Sequence, residues 1–184
     1  MSQSVILRWT TAALERLPDN GNHYEIIAGD LFVSRAPHRR HQKVADKICA
    51  PLNQWSEKTG IGEATTATGI IFTEADNVIP DVVWISHEKL ASAEDDQGHL
   101  ITAPELVVEV LSPSNEVVDR QHKLKLYSAQ GVQEYWIADR LRQQIEVYRR
   151  LGADLKLVTT LLASDTLSSP MLPNFTCSVQ QLFS

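Results

Sequence analysis

The chain has 184 residues, 43% of them hydrophobic and 22% charged, which fits one folded domain and excludes extensive disorder. A formal net charge of −6 and a pI near 5.5 exclude a generally basic surface, so any nucleic-acid contact must come from a local patch. No stretch approaches the ~18 apolar residues of a membrane span, no basic-then-apolar leader opens the sequence, and the two cysteines, Cys49 and Cys177, make no disulfide framework, so a cytoplasmic protein without membrane partners is expected.

Residues 10–17 predict a short helix, with Thr10 or Thr11 as N-cap and Leu14 and Leu17 on its apolar side. The Pro18-Asp19-Asn20-Gly21-Asn22 segment is turn chemistry. Tyr24–Ile27 and Leu31–Ser34 flank the three-residue loop Ala28-Gly29-Asp30 and predict a hairpin. Residues 41–58 predict a helix whose stripe is Val44, Ile48, Leu52 and Trp55, kinked or split at Pro51 and closed by Gly60. Residues 63–72 predict two short strands or one bent one. Glu74-Ala75-Asp76-Asn77 predicts a turn, 78–85 a strand and 87–91 one helical turn. The polar segment 92–103 predicts a mobile loop, and 105–111 a second strand ended by Ser112-Pro113-Ser114-Asn115. Val117 to Gln130 predicts a helix with Gly131 as its left-handed cap. Strands follow at 134–138, 144–149 and 155–162, then a short run to Phe183. The order implies α/β or α+β architecture, with a central mixed β-sheet flanked by helices and preceded by an N-terminal helix and hairpin.

Two carboxylates stand out. Asp81 lies in Ile79-Pro80-Asp81-Val82-Val83-Trp84-Ile85 and Glu109 in Leu106-Val107-Val108-Glu109-Val110-Leu111. Both runs read as strands covered on both faces, where a carboxylate is costly unless something positive meets it. A hard divalent cation would, since Mg²⁺ takes one or two carboxylates plus waters and phosphate oxygens. The carbonyl of Val110 is a further candidate ligand, and Lys123, on the helix after the Glu109 strand, can reach back to the strand end. Plainer readings stand beside these. Asp81 could cap a strand end, Glu109 could pair with an arginine, and Asp119–Lys123 is also an ordinary i,i+4 helix pair. Tyr127, Tyr135 and Trp136 read as packing residues. His38 and His41 are three apart, but no second ligand pair with zinc spacing accompanies them. Basic residues gather at Arg35, Arg39, Arg40, Lys43 and Lys47 and again at Arg120, His122, Lys123 and Lys125. Such runs are solvated faces or phosphate contacts.

The spacing Pro80-Asp81, then Glu109 in Val-Val-Glu-Val-Leu-Ser-Pro-Ser, then Asp119-x-x-x-Lys123-x-x-x-Tyr127, then Gly131-Val132-Gln133-Glu134-Tyr135-Trp136-Ile137 resembles the PD-(D/E)XK nuclease superfamily. It is most similar to the Uma-type restriction-endonuclease-like branch, whose N-terminal hairpin Tyr24–Leu31 also resembles, and the resemblance spans essentially the whole chain. It implies a single restriction-endonuclease-like domain over residues 1–184. The implied activity is a Mg²⁺-dependent endodeoxyribonuclease, with Mn²⁺ as a substitute, that hydrolyses DNA phosphodiester bonds. Asp81 and Glu109 would be its metal-binding acids, with the Val110 carbonyl beside them, and Glu25 an accessory acid. The generic pattern places lysine two residues after the second acid, where this chain has Leu111. In this branch the lysine stands on the following helix, and Lys123 matches that position, with Lys125 a rival about 200° further round. His41 matches a position near the site, and Arg39 and Lys125 join it as expected substrate-binding residues. A homodimer is expected of an enzyme that cuts both strands. The alternative is a catalytically inactive nuclease fold that binds nucleic acid or protein.

Overall fold

The computed structural model describes residues 8–184; the reading of the start as free of a leader falls partly on residues 1–7, outside those described. Helix α1, Thr11–Leu14, is shorter than expected, and Thr10 at its N-cap makes no side-chain cap bond. Its first amide goes elsewhere, since Thr11 N–H donates to the Glu74 carbonyl at 2.8 Å. Strands β1 (Asn22–Ile27) and β2 (Asp30–Arg35) pair antiparallel out to Ile27↔Asp30. The loop is therefore Ala28-Gly29 rather than three residues, with φ of 52° and 82°. Both values are positive, as a type I′ turn requires.

Helix α2, Arg39–Thr59, runs unbroken through Pro51 and stops at Gly60, whose φ is 68°. Pro51 deprives the helix of one hydrogen bond, but Val44, Ile48, Leu52 and Trp55 are buried on both sides of it and hold the helix to the sheet. Strands β3 (Gly62–Thr66), β4 (Ile70–Thr73), β5 (Asp76–Val78) and β6 (Val82–Ser86) follow, then α3 (His87–Leu90) and β7 (Leu106–Val110). The single strand expected over 78–85 is thus two, interrupted at Ile79-Pro80-Asp81, where Pro80 has no amide to continue a ladder. A π-helical turn, Val118–Lys123, leads directly into α4, Leu124–Gln130. The remaining elements are β8 (Glu134–Asp139), β9 (Gln144–Leu151), β10 (Asp154–Leu161), β11 (Thr166–Ser169), β12 (Leu172–Ser178) and α5 (Val179–Phe183).

The strands form a six-stranded mixed sheet in the order β10-β9-β8-β7-β6-β3, a four-stranded sheet in the order β2-β1-β5-β4, and the β11-β12 hairpin. In the large sheet β7 and β8 are parallel and the other pairs antiparallel. Alternation along its strands feeds two cores. One face carries Val82, Trp84, Leu106, Val108, Trp136 and Val147 against α2, the β11-β12 hairpin and α5. The other carries Val83, Ile85, Val107, Tyr135 and Ile137 against α4, the small sheet and residues 93–103. The arrangement is a restriction-endonuclease-like α/β fold with an N-terminal helix and hairpin. The segment 92–103, expected to be mobile, is pinned: Ala93, Leu100 and Ala103 are buried, and Leu100 bonds to Gly69 and Ile71. Apolar residues spaced through a polar stretch anchor it.

Candidate active site

Glu109 follows Val107 on the second face of the sheet, in a position that alternation would fill with an apolar side chain. It is 3% exposed. Continuing the β6–β7 register Val82↔Val108 by one residue sets Asp81 opposite it. Asp81 itself stands just before β6, in the break between the sheets, so it is not the strand-interior acid that the sequence implied. Its Oδ2 accepts the Val110 N–H at 2.7 Å and lies 3.2 Å from His41 Nε2. The same His41 nitrogen lies 2.7 Å from the Val110 carbonyl, and its Nδ1 is buried without a partner among the described residues.

Lys123 is 3% exposed and is the hub of the cluster. Its Nζ lies 2.9 Å from Glu109 Oε1, 2.9 Å from Glu25 Oε1 and 3.8 Å from Asp119 Oδ1. The π turn widens the helix at this point, and π-bulges frequently mark functional sites. Tyr127, one turn further on, donates to Glu109 Oε1 at 2.8 Å, and Tyr135 donates to the Asp119 carbonyl at 3.0 Å. Glu25 also accepts the Ile79 N–H at 2.8 Å, which ties the hairpin to the break that presents Asp81.

Burial, and then the neighbouring carboxylates of Asp119, Asp81 and Glu25, push Glu109 well above the usual carboxylate range against the pull of Lys123. The same balance raises Asp119 to about 7. Burial opposes protonation of Lys123 and of His41, yet the facing carboxylates outweigh it and both are raised. The cluster therefore carries more negative groups than it can ionise by itself, an arrangement suited to an added cation.

These residues line a cleft of about 520 Å³ that also takes in His38, Ser112–Asn115, Arg35 and Arg140. The fold brings together Glu25, His41, Asp81, Glu109, Val110 and Lys123. It leaves Arg39 and Lys125 exposed and off the cleft wall. Lys125 lines a separate, shallow surface pocket, as its different helical face required. His38 caps α2 by accepting the Arg40 N–H. Among the described residues no group of three or more His, Cys, Asp or Glu side chains forms a ready metal cage. The available donors are nevertheless all oxygen. Glu109 engages the surrounding described residues through Oε1, and Asp81 through Oδ2. That leaves one oxygen of each acid, with the second lone pair of the Val110 carbonyl beside His41, for a hard divalent cation that keeps several waters. Sequence reasoning missed Asp119 as a member of the cluster because its spacing to Lys123 is that of any helix ion pair. It missed Arg140 because nothing local marks a turn residue as cleft-lining.

The family model Uma2, described as "Putative restriction endonuclease", matches residues 11–180. The chain belongs to the Uma2 family. Uma2 is part of the PD-(D/E)XK nuclease-like superfamily. The chain is similar to the solved structure of "a putative nuclease belonging to DUF820" from Anabaena variabilis, with a TM-score of 0.77 at 18% identity over 95% of this chain and 97% of that one. At that identity the likeness speaks for the Uma2 fold alone. No curated protein matches the chain.

Proposed function

We propose that the protein is a Mg²⁺-dependent endodeoxyribonuclease, folded as one domain over residues 1–184. The observation that carries this reading is the convergence of Asp81, Glu109 and Lys123, from three separate elements, at one end of the large sheet. Asp81 and Glu109, with the Val110 carbonyl, would hold Mg²⁺ or Mn²⁺. When bound, the ion supplies a water of lowered pKa and positive charge beside the phosphodiester. Lys123 keeps a fixed ammonium beside Glu109, where it steadies charge that develops on the phosphoryl oxygens. Glu25 holds Lys123 in place, and His41 stands at the cleft wall as a substrate contact.

Plasmid cleavage with Mg²⁺ tests the assignment. Asp81→Ala and Glu109→Ala are expected to lower the rate by about 10³-fold or more; either variant cutting at the wild-type rate removes that acid from the mechanism. A second reading has its own support. Glu109 Oε1 is already satisfied by Lys123 and Tyr127 at 2.9 and 2.8 Å, which suits an inactive fold that binds nucleic acid or protein. That reading expects no cleavage with any metal and gel shifts indifferent to Mg²⁺. Two 20.6-kDa chains would give the paired sites that double-strand cutting needs, and light scattering reads that mass. The expected compartment is the cytoplasm; no helix among the described residues is long and apolar enough to cross a membrane.

A further inference from the structure

Five arginines lie between residues 120 and 150, and four of them are committed. Arg120 pairs with Glu116 and Glu146. Arg142 pairs with Asp139 at 2.7 Å, and Arg149 with Glu134 at 2.9 Å. Arg150 donates to the carbonyls of Val132, Ser128 and Ala153. Arg140 differs. Among the described residues it forms no ion pair or hydrogen bond, and its Nε is buried without a partner. Its nearest acid in sequence, Asp139, is spent on Arg142 and on the amides of Leu141 and Arg142.

Arg140 is half-buried, but its Nε is shut from water without an acceptor, which is costly, so its place matters. Arg140 directly follows β8. Because β8 runs parallel to β7 with Val110↔Ala138 in register, the residue emerges at the same sheet end as Ser112. Ligands of α/β sheets gather at such carboxyl strand ends. Arg140 lines the same cleft as Asp81, Glu109 and Lys123. Lys123 shares its charge with three carboxylates, so it leaves the rest of the strand's phosphates to another cation.

We propose that Arg140 is a substrate-binding residue that grips a non-bridging phosphate oxygen of the nucleic-acid strand entering the cleft. The assignment rests on the nuclease reading for its substrate class, but it can be tested separately. A guanidinium supplies paired donors that match phosphate geometry and keeps its charge at any working pH. It offsets the acidic cleft floor, which would otherwise repel a polyanion.

The test is fluorescence anisotropy with a short duplex DNA, without divalent metal, across a salt series, with Mg²⁺ cleavage measured in parallel. Arg140→Ala should weaken binding by about tenfold and lower the slope of log Kd against log salt by about one. Arg140→Lys should restore the slope and only part of the affinity. Lys156→Ala, which removes an exposed charge away from the cleft, should change neither the affinity nor the slope by as much. Unchanged binding by Arg140→Ala, or an equal effect of Lys156→Ala, overturns the assignment while wild-type cleavage leaves the nuclease reading standing. Binding that depends on Arg140, with no cleavage in any metal, upholds the assignment and removes the nuclease. Wild-type protein that binds no DNA at any salt overturns the assignment, and overturns the nuclease reading as well if it also fails to cleave with Mg²⁺.

Discussion

Lys123 and its three carboxylates stabilise one another, so the lysine cannot be treated as a purely chemical group. Lys123→Ala should abolish turnover and also destabilise the protein by about 3–5 kcal/mol, because it strands buried acids without their counter-charge. A chemical-denaturation curve matching wild type would show that the acids are already neutral. The same crowding sets a pH dependence. Glu109, Asp119 and His41 all hold protons more tightly in the folded protein than in the unfolded chain, Asp119 up to about 7. For the two carboxylates, the stability gained this way is complete below about 4 and is lost as pH rises through their folded values. His41 adds to the decline above about 6.5. Metal-free protein should therefore melt at a lower temperature at pH 8 than at pH 5. Asp119→Asn should flatten that difference, and a wild-type melt series without this slope would contradict the charge balance. Added Mg²⁺ should recover stability at pH 8 more than at pH 5, since carboxylates must lose protons to bind it.

Among the elements, the β1-β2 turn offers a clean test because Ala28 and Gly29 do not line the cleft. Ala28 is exposed and held at a φ of 52°, where a Cβ is unfavourable and Asn is better tolerated. Ala28→Asn should raise stability by about 1 kcal/mol in urea unfolding, with cleavage unaffected. The elements also show what the sequence could express. Strand β7 was legible because Val107 and Val108 point to opposite cores and leave Glu109 as the one polar exception. Helix α2 was legible from its stripe, although Pro51 suggested a break that tertiary packing overrides. The division between β5 and β6 was hidden because Val78 through Ile85 is apolar nearly throughout, and only Pro80 hints that the chain changes sheets. The π turn leaves no pattern at all. Asp119 and Lys123 have the same spacing in an α-helix, so their joint burial follows from packing against Tyr135 and Glu109 rather than from periodicity. The idle state of Arg140 depends on how neighbouring acids are allocated, and that is decided only in three dimensions.

At the scale of the whole molecule, the cleft exists because the small sheet docks beside the large one. Glu25 arrives from β1, Asp81 from the link between the sheets, Glu109 from β7 and Lys123 from the π turn, and a bond from the Ile79 N–H to Glu25 at 2.8 Å joins link to hairpin. Glu25→Gln keeps an acceptor for the Ile79 amide but removes the charge facing Lys123. It should lower turnover and, because Glu109 and Asp119 still face Lys123, cost less stability than Lys123→Ala, a comparison that kinetics and melting together would read. The pinned segment between α3 and β7 carries a practical consequence. Its tip at Gln97 and Gly98 is exposed, and severing the chain there would leave Glu25, His41 and Asp81 on one piece and Glu109, Asp119 and Lys123 on the other. If the proposed nuclease activity holds, neither half would own a complete set of reacting groups, and DNA scission would report the two halves finding each other.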